Sequence, residues 1–143
     1  PYVSNLMTLV PGLRSIADTF SWQPDRGLEI IVASRNGGTP RSFRTESTFI
    51  IHTANAYEDS DELVLDVVGY SDASVMQFLK DVLSKETHVL NARPNPAIRG
   101  YLRRYWLNYV TGVIRQTELN DVPCEFPRID PRRVGQVYRY VYA

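Results

Sequence analysis

The sequence predicts an antiparallel β protein carrying one helical insertion. Three observations lead there. About seven or eight short runs rich in β-branched and aromatic residues recur along the 143 residues. The stretches between them are too short for repeated βαβ crossovers, and only one stretch carries the apolar period of a helix. That length is one domain's worth of chain, or a piece of a larger one. The chain starts at Pro1 rather than Met and ends at Tyr142-Ala143 directly after a strand-like run, so a fragment is expected.

Residues 1–11 are apolar without a clean period, and residues 15–22 lead into Gln23-Pro24-Asp25-Arg26-Gly27, a turn by composition. Leu28 to Ser34 is an apolar, β-branched run followed by Arg35-Asn36-Gly37-Gly38. Asn-Gly between two such runs marks a hairpin, because both positions tolerate positive φ. The return strand is expected over Pro40 to Glu46, and its weak alternation suits partial exposure. Thr48 to Thr53 forms the next strand, with Phe49, Ile51 and Thr53 facing one way and Thr48, Ile50 and His52 the other. Both faces are apolar, so His52 is expected to be largely buried.

Tyr57 to Asp61 then reads as a polar turn and Glu62 to Gly69 as a strand. Asp66 falls on this mostly apolar element, where hydrogen bonds should satisfy it. Val75, Phe78, Leu79, Val82 and Leu83 fall at helical spacing behind Ser71 or Asp72 as N-cap, predicting one amphipathic helix ending near Lys85. Asn91 to Pro96 is loop. Tyr101 to Val110 is an aromatic-rich strand, and Val113 to Leu119 a shorter one. A proline-marked turn over Pro127 to Pro131 precedes Gln136 to Tyr142, a strand by its alternation.

Sixteen basic and sixteen acidic residues leave no net charge. Counterion release needs clustered Lys and Arg, so no nucleic-acid partner is expected; the arginines among the aromatics of Tyr101 to Val110 are too few to change that. No apolar run approaches a membrane span, though interfacial attachment elsewhere in a longer, peripheral membrane protein stays open. One cysteine, Cys124, excludes an internal disulfide framework and is consistent with a reducing, cytoplasmic compartment. No Gly-rich phosphate loop, CxxC pair, HExxH or GxSxG element is present.

Two histidines occur. His88 lies in a polar segment after the helix and reads as a solvated side chain. His52 ends an apolar run, and its local pattern alone suits a hydrogen-bonded core residue. Three stretches give it another meaning: His52-x-x-Asn55-Ala56-Tyr57-Glu58 with Val64-Leu65-Asp66 after it, Glu125-Phe126-Pro127-Arg128-Ile129-Asp130-Pro131, and Gly135-x-Val137-Tyr138-Arg139-Tyr140-Val141-Tyr142. In order and spacing they resemble the carotenoid cleavage oxygenase family, which includes the retinoid isomerohydrolases. The likeness covers residues 1–143 but only a central portion of the family's length.

The resemblance implies a section of a seven-bladed β-propeller, with residues 1–143 a central fragment of that single domain and Fe(2+) held on its axis by four histidines from different blades. His52 matches one of those metal ligands; Thr53 departs from the His or Gln that often follows it without disturbing the match. Glu125 matches a carboxylate in the second shell that pairs with this histidine. A metal-bound imidazole must place its other N–H, usually on a carboxylate or carbonyl, and four neutral imidazoles bring no negative charge of their own. Asn55, Tyr57, Glu58 and Asp66 are expected to fix the turn and the neighbouring strand. Arg128 or Arg139 is expected opposite Asp66 or Glu58. Cys124 and Phe126 should point away from Glu125 by strand alternation.

The implied activity is cleavage of a conjugated carbon–carbon double bond of a carotenoid or apocarotenoid with O2. Isomerisation and ester cleavage of a retinoid on the same metal is the alternative within the family. A metal-free, non-catalytic propeller or lipid-binding module is the alternative outside it. The fragment alone is expected to be inactive.

Overall fold

The computed structural model describes residues 2–4, 20–83 and 98–143, with side chains over 21–79 and 98–143. The described residues form a short antiparallel pair, β1 (Tyr2–Ser4) with β2 (Phe20–Trp22), and a hairpin of β3 (Leu28–Val32) and β4 (Arg41–Thr45). A four-stranded sheet follows, made of β5 (Phe49–Asp59), β6 (Glu62–Tyr70), β7 (Gly100–Asn108) and β8 (Ile114–Glu118). Its strands lie side by side in chain order, every pair antiparallel. Four sequential antiparallel strands make one blade of a β-propeller, and the chain fits a section of that fold. The single α-helix, α1 (Ser74–Leu83), leaves the sheet after β6.

Local chemistry sets these elements. The hairpin expected from Asn36-Gly37 forms, but its positive φ values, 88° and 107°, fall on Gly37 and Gly38 rather than on Asn36. Between β7 and β8, the Asn108 side-chain oxygen accepts the N–H groups of Val110 and Thr111 at 3.0 and 2.8 Å. Asp72 caps α1, its carboxylate accepting Ser74 N–H at 2.8 Å. The middle strands are buried on both faces. Val64 and Val68 lie across from Trp106 and Leu102 on one face, and Leu65 lies across from fully buried Tyr105 on the other. At the α1 end of the sheet, Val68, Tyr70 and Val75 form a buried cluster flanked by Phe49, Leu79, Ile98 and Cys124.

Three expectations need correction. β5 does not stop at Thr53 but continues to Asp59, so Asn55 to Asp59 is strand and the turn lies at Ser60-Asp61. The polar side chains there suggested a turn, yet each has a place in the ladder with β6. Register shifts between Ile50 and His52, and again between Thr53 and Asn55, mark β-bulges. The first changes the facing: Phe49 and His52 lie opposite Tyr70 and Val68, on one face, rather than on opposite faces. Finally, Gln136 to Tyr142 is not a strand. Only Tyr142 pairs, exchanging backbone hydrogen bonds with Arg128 at 2.7 and 2.8 Å. Its alternation is real, but Val137 and Tyr140 have no neighbouring strand among the described residues and are exposed. His88, the helix end near Lys85 and the loop at Asn91 to Pro96 lie outside the described residues.

Candidate functional site

The two bulges and the β5–β6 pairing bring His52 into line with Val68 and Tyr70 on one face of the sheet. The segment after β8 returns across that face. Cys124 N–H donates to the Gly100 carbonyl at 2.9 Å, which seats the segment against β7, and Glu125 then projects between His52 and Tyr70. Oε2 of Glu125 lies 2.7 Å from Nδ1 of His52, and Oε1 accepts the Tyr70 hydroxyl at 2.5 Å. Phe126 turns back at φ 55°, so that its own N–H donates to Glu125 Oε2 at 2.8 Å. Its ring packs against the His52 ring with centroids 5.0 Å apart.

The structure thus brings His52 and Glu125 together across 73 residues. His52 is half-buried rather than largely buried, its side chain 38% exposed against 24% for Glu125. The expectation for the flanking residues also fails. Residues 124–126 are not a strand, so alternation does not apply: Cys124 packs on the buried cluster and Phe126 lies on the His52 side with Glu125. Tyr70 and Phe126 were missed as site residues. A Tyr ending a strand and a Phe in a Pro-rich loop carry no local sign of the partner they meet.

The electrostatics are simple. Tyr70 is 5% exposed. Burial, and then the adjoining Glu125 carboxylate, push its phenol above the usual range, so it stays a hydrogen-bond donor. With Nδ1 on Glu125, the other ring nitrogen of His52, Nε2, has no hydrogen-bond partner among the described residues. A neutral imidazole with its proton on Nδ1 presents a lone pair at Nε2, the donor a metal ion would take. This supplies one ligand. Among the described residues no three His, Cys, Asp or Glu side chains gather as a metal cluster. A groove of about 760 Å³ beside the β3–β4 hairpin, lined by Ile31, Arg41, Glu58 and Leu63 among others, includes neither His52 nor Glu125.

Behind the site a second network joins the remaining motif residues. Asp66, fully buried, receives a two-pronged bond from Arg104 at 2.7 and 2.8 Å, and the Tyr138 hydroxyl also donates to it. Arg104, on the neighbouring strand, therefore takes the place expected of Arg128 or Arg139. Asn55 donates to the carbonyls of Arg133 and Gln136 at 3.3 and 3.1 Å and accepts Gly135 N–H at 3.0 Å. Tyr57 meets the Tyr138 ring edge-on. Asn55, Tyr57 and Asp66 thus hold the segment around Gly135 and Tyr138, so the three stretches singled out in the sequence form one structure.

The family model described as retinal pigment epithelial membrane protein matches residues 1–143. The chain belongs to the carotenoid oxygenase family. It is 30% identical to the apocarotenoid-15,15'-oxygenase of Synechocystis sp. over 92% of the chain and 25% of that protein. To the carotenoid isomerooxygenase of Galleria mellonella it is 32% identical, over 100% of the chain and 29% of that protein. The chain therefore spans about a quarter of the length of these carotenoid-oxygenase relatives. A cobalt-substituted structure of the Synechocystis apocarotenoid oxygenase superposes with a TM-score of 0.79 at 24% identity, over 98% of the chain and 28% of that protein, and supports the fold.

Proposed function

We propose that this chain is a section of an iron(II)-dependent oxygenase that cleaves a conjugated carbon–carbon double bond of a carotenoid or apocarotenoid with O2, giving aldehyde or ketone products. Membership of the carotenoid oxygenase family supports the reaction class. The observation that carries the metal assignment is the 2.7 Å contact between His52 Nδ1 and Glu125 Oε2, which leaves Nε2 as the free donor. On this reading His52 holds the ion through Nε2, and Glu125 accepts the hydrogen bond from Nδ1–H and so fixes the tautomer and ring orientation. Phe126 covers one side of the imidazole and limits the approach of water there. Imidazole is a donor suited to iron, which when bound would supply the dioxygen chemistry. The remaining ligands belong to parts of the protein outside the described residues.

The test is His52→Ala in the protein at the length of its relatives. Iron content by metal analysis is expected to fall severely, and product formation from a carotenoid with it. Full iron occupancy in that variant would overturn the ligand assignment. Isomerisation is the second reading, favoured by the name of the Galleria relative, a carotenoid isomerooxygenase. Product analysis with a carotenoid and with a retinyl ester separates the two.

A further inference from the structure

We propose that Tyr70 is a positioning residue for the His52 imidazole, acting through Glu125. The proposal rests on the reading of His52 as a metal ligand and adds a residue that fixes how that ligand is presented. Glu125 sits on an irregular segment and has three rotatable side-chain bonds, so its backbone alone does not aim the carboxylate. Oε2 bonds His52 Nδ1 and Phe126 N–H. Were Oε1 free, the carboxylate could turn about that one anchored oxygen and exchange its oxygens. The Tyr70 hydroxyl on Oε1 at 2.5 Å removes this freedom. With both oxygens tied, the plane of the carboxylate is set, and with it the direction from which His52 is held.

Tyr70 is well placed to be the fixed end of this chain of contacts. It ends β6, directly opposite Phe49 and one alternate position from Val68, the cross-strand partner of His52. Its ring packs in the buried cluster with Val68 and Val75, and a Cβ at Gly100 would stand 2.9 Å from the ring's Cζ, so the ring has little room to move. Phenylalanine would fill the same apolar space. The hydroxyl is the part that packing does not explain, and a buried tyrosine hydroxyl needs a partner; Glu125 is that partner. The carboxylate therefore bridges β5 and β6 beside the first β5 bulge, meeting His52 on one strand and Tyr70 on the other.

The experiment uses the protein at the length of its relatives, with Tyr70→Phe, Glu125→Gln and the double variant. Metal affinity is measured by chelator competition, and the cobalt-loaded forms are compared by their visible absorption. Glu125→Gln is expected to weaken metal binding by roughly 10–100-fold. Tyr70→Phe should weaken it by about 3–10-fold, the size of one lost hydrogen bond, and shift the cobalt bands, with no further effect once Glu125 is Gln. Leu107→Ala opens a cavity at the other end of the sheet, opposite Leu63, and should leave affinity and bands unchanged. An unchanged Tyr70→Phe protein, an equal loss with and without Glu125, or a matching loss in Leu107→Ala would overturn the proposal while leaving the ligand reading intact. Full metal retention in His52→Ala would overturn that reading and this proposal with it.

Discussion

Gly100 shows how tightly the surroundings of His52 and Glu125 are packed. A methyl group there would stand 2.6 Å from Val68 Cγ1, 2.9 Å from Tyr70 Cζ and 3.2 Å from the Cys124 carbonyl oxygen. These are the residue opposite His52, the residue that holds Glu125, and the backbone next to Glu125. Overpacking of this kind costs about 1–3 kcal/mol, and here the relief must come from moving parts of the site. Gly100→Ala is therefore expected to lower stability in denaturant titrations and to weaken metal binding together. Gly112→Ala is the contrast: its φ of 73° strains any side chain, but nothing lies within 4 Å. It should cost stability alone, and equal loss of metal affinity in both variants would contradict the argument. The pairing of His52 with Glu125 was legible only through the resemblance of their motifs to a family, since the local pattern alone suited a core histidine. Tyr70 and Gly100 were not, since their roles arise only when a segment 55 residues from Tyr70 folds back against β6 and β7.

Where one element meets another, the decisive group is Asp66. It is fully buried on β6, joins Arg104 of β7, and holds Tyr138 of the segment that follows the site. The sequence marked Asp66 as an acid needing hydrogen bonds, but its candidate partners, Arg128 and Arg139, did not include Arg104. Arg104 lies directly opposite in the unbroken β6–β7 register, which alternation within either strand does not reveal. A β5 bulge, equally invisible in the pattern, reversed the facing of His52. Asp66→Ala would strand a half-buried guanidinium and a phenol, and should cost about 3–5 kcal/mol, as loss of one partner of a buried pair does. The Tyr138 phenol adds a pH signature. Burial, and then Asp66, raise its pKa above the usual 10.0. Unfolded tyrosine loses its proton near pH 10 while the folded one keeps it, so the unfolded state binds fewer protons and stability falls as pH rises beyond 10. Tyr138→Phe should flatten that alkaline decline in unfolding measurements, and an unchanged slope would remove Tyr138 as its source.

The antiparallel architecture was legible from strand-like runs and short connections, because those follow from local propensity. What local propensity could not supply is the neighbour each surface meets, and Gln136 to Tyr142 is the clearest case: strand-like in pattern, yet paired only at Tyr142. The same consideration governs the chain's behaviour by itself. β5 and β8 are the edges of the four-stranded sheet, and Ile31, Val113, Val122, Phe126, Val137 and Tyr140 are all exposed apolar or aromatic side chains. Open sheet edges and apolar patches of this kind favour association over a single folded state. A lone imidazole, moreover, does not hold iron firmly. The 143-residue chain expressed alone is therefore expected to self-associate, to unfold without a sharp transition and to show no oxygenase activity. Size-exclusion chromatography and thermal melts followed by circular dichroism check this. A monomer with a cooperative transition would mean that the four-stranded sheet and its clamped segment bury enough surface to stand alone.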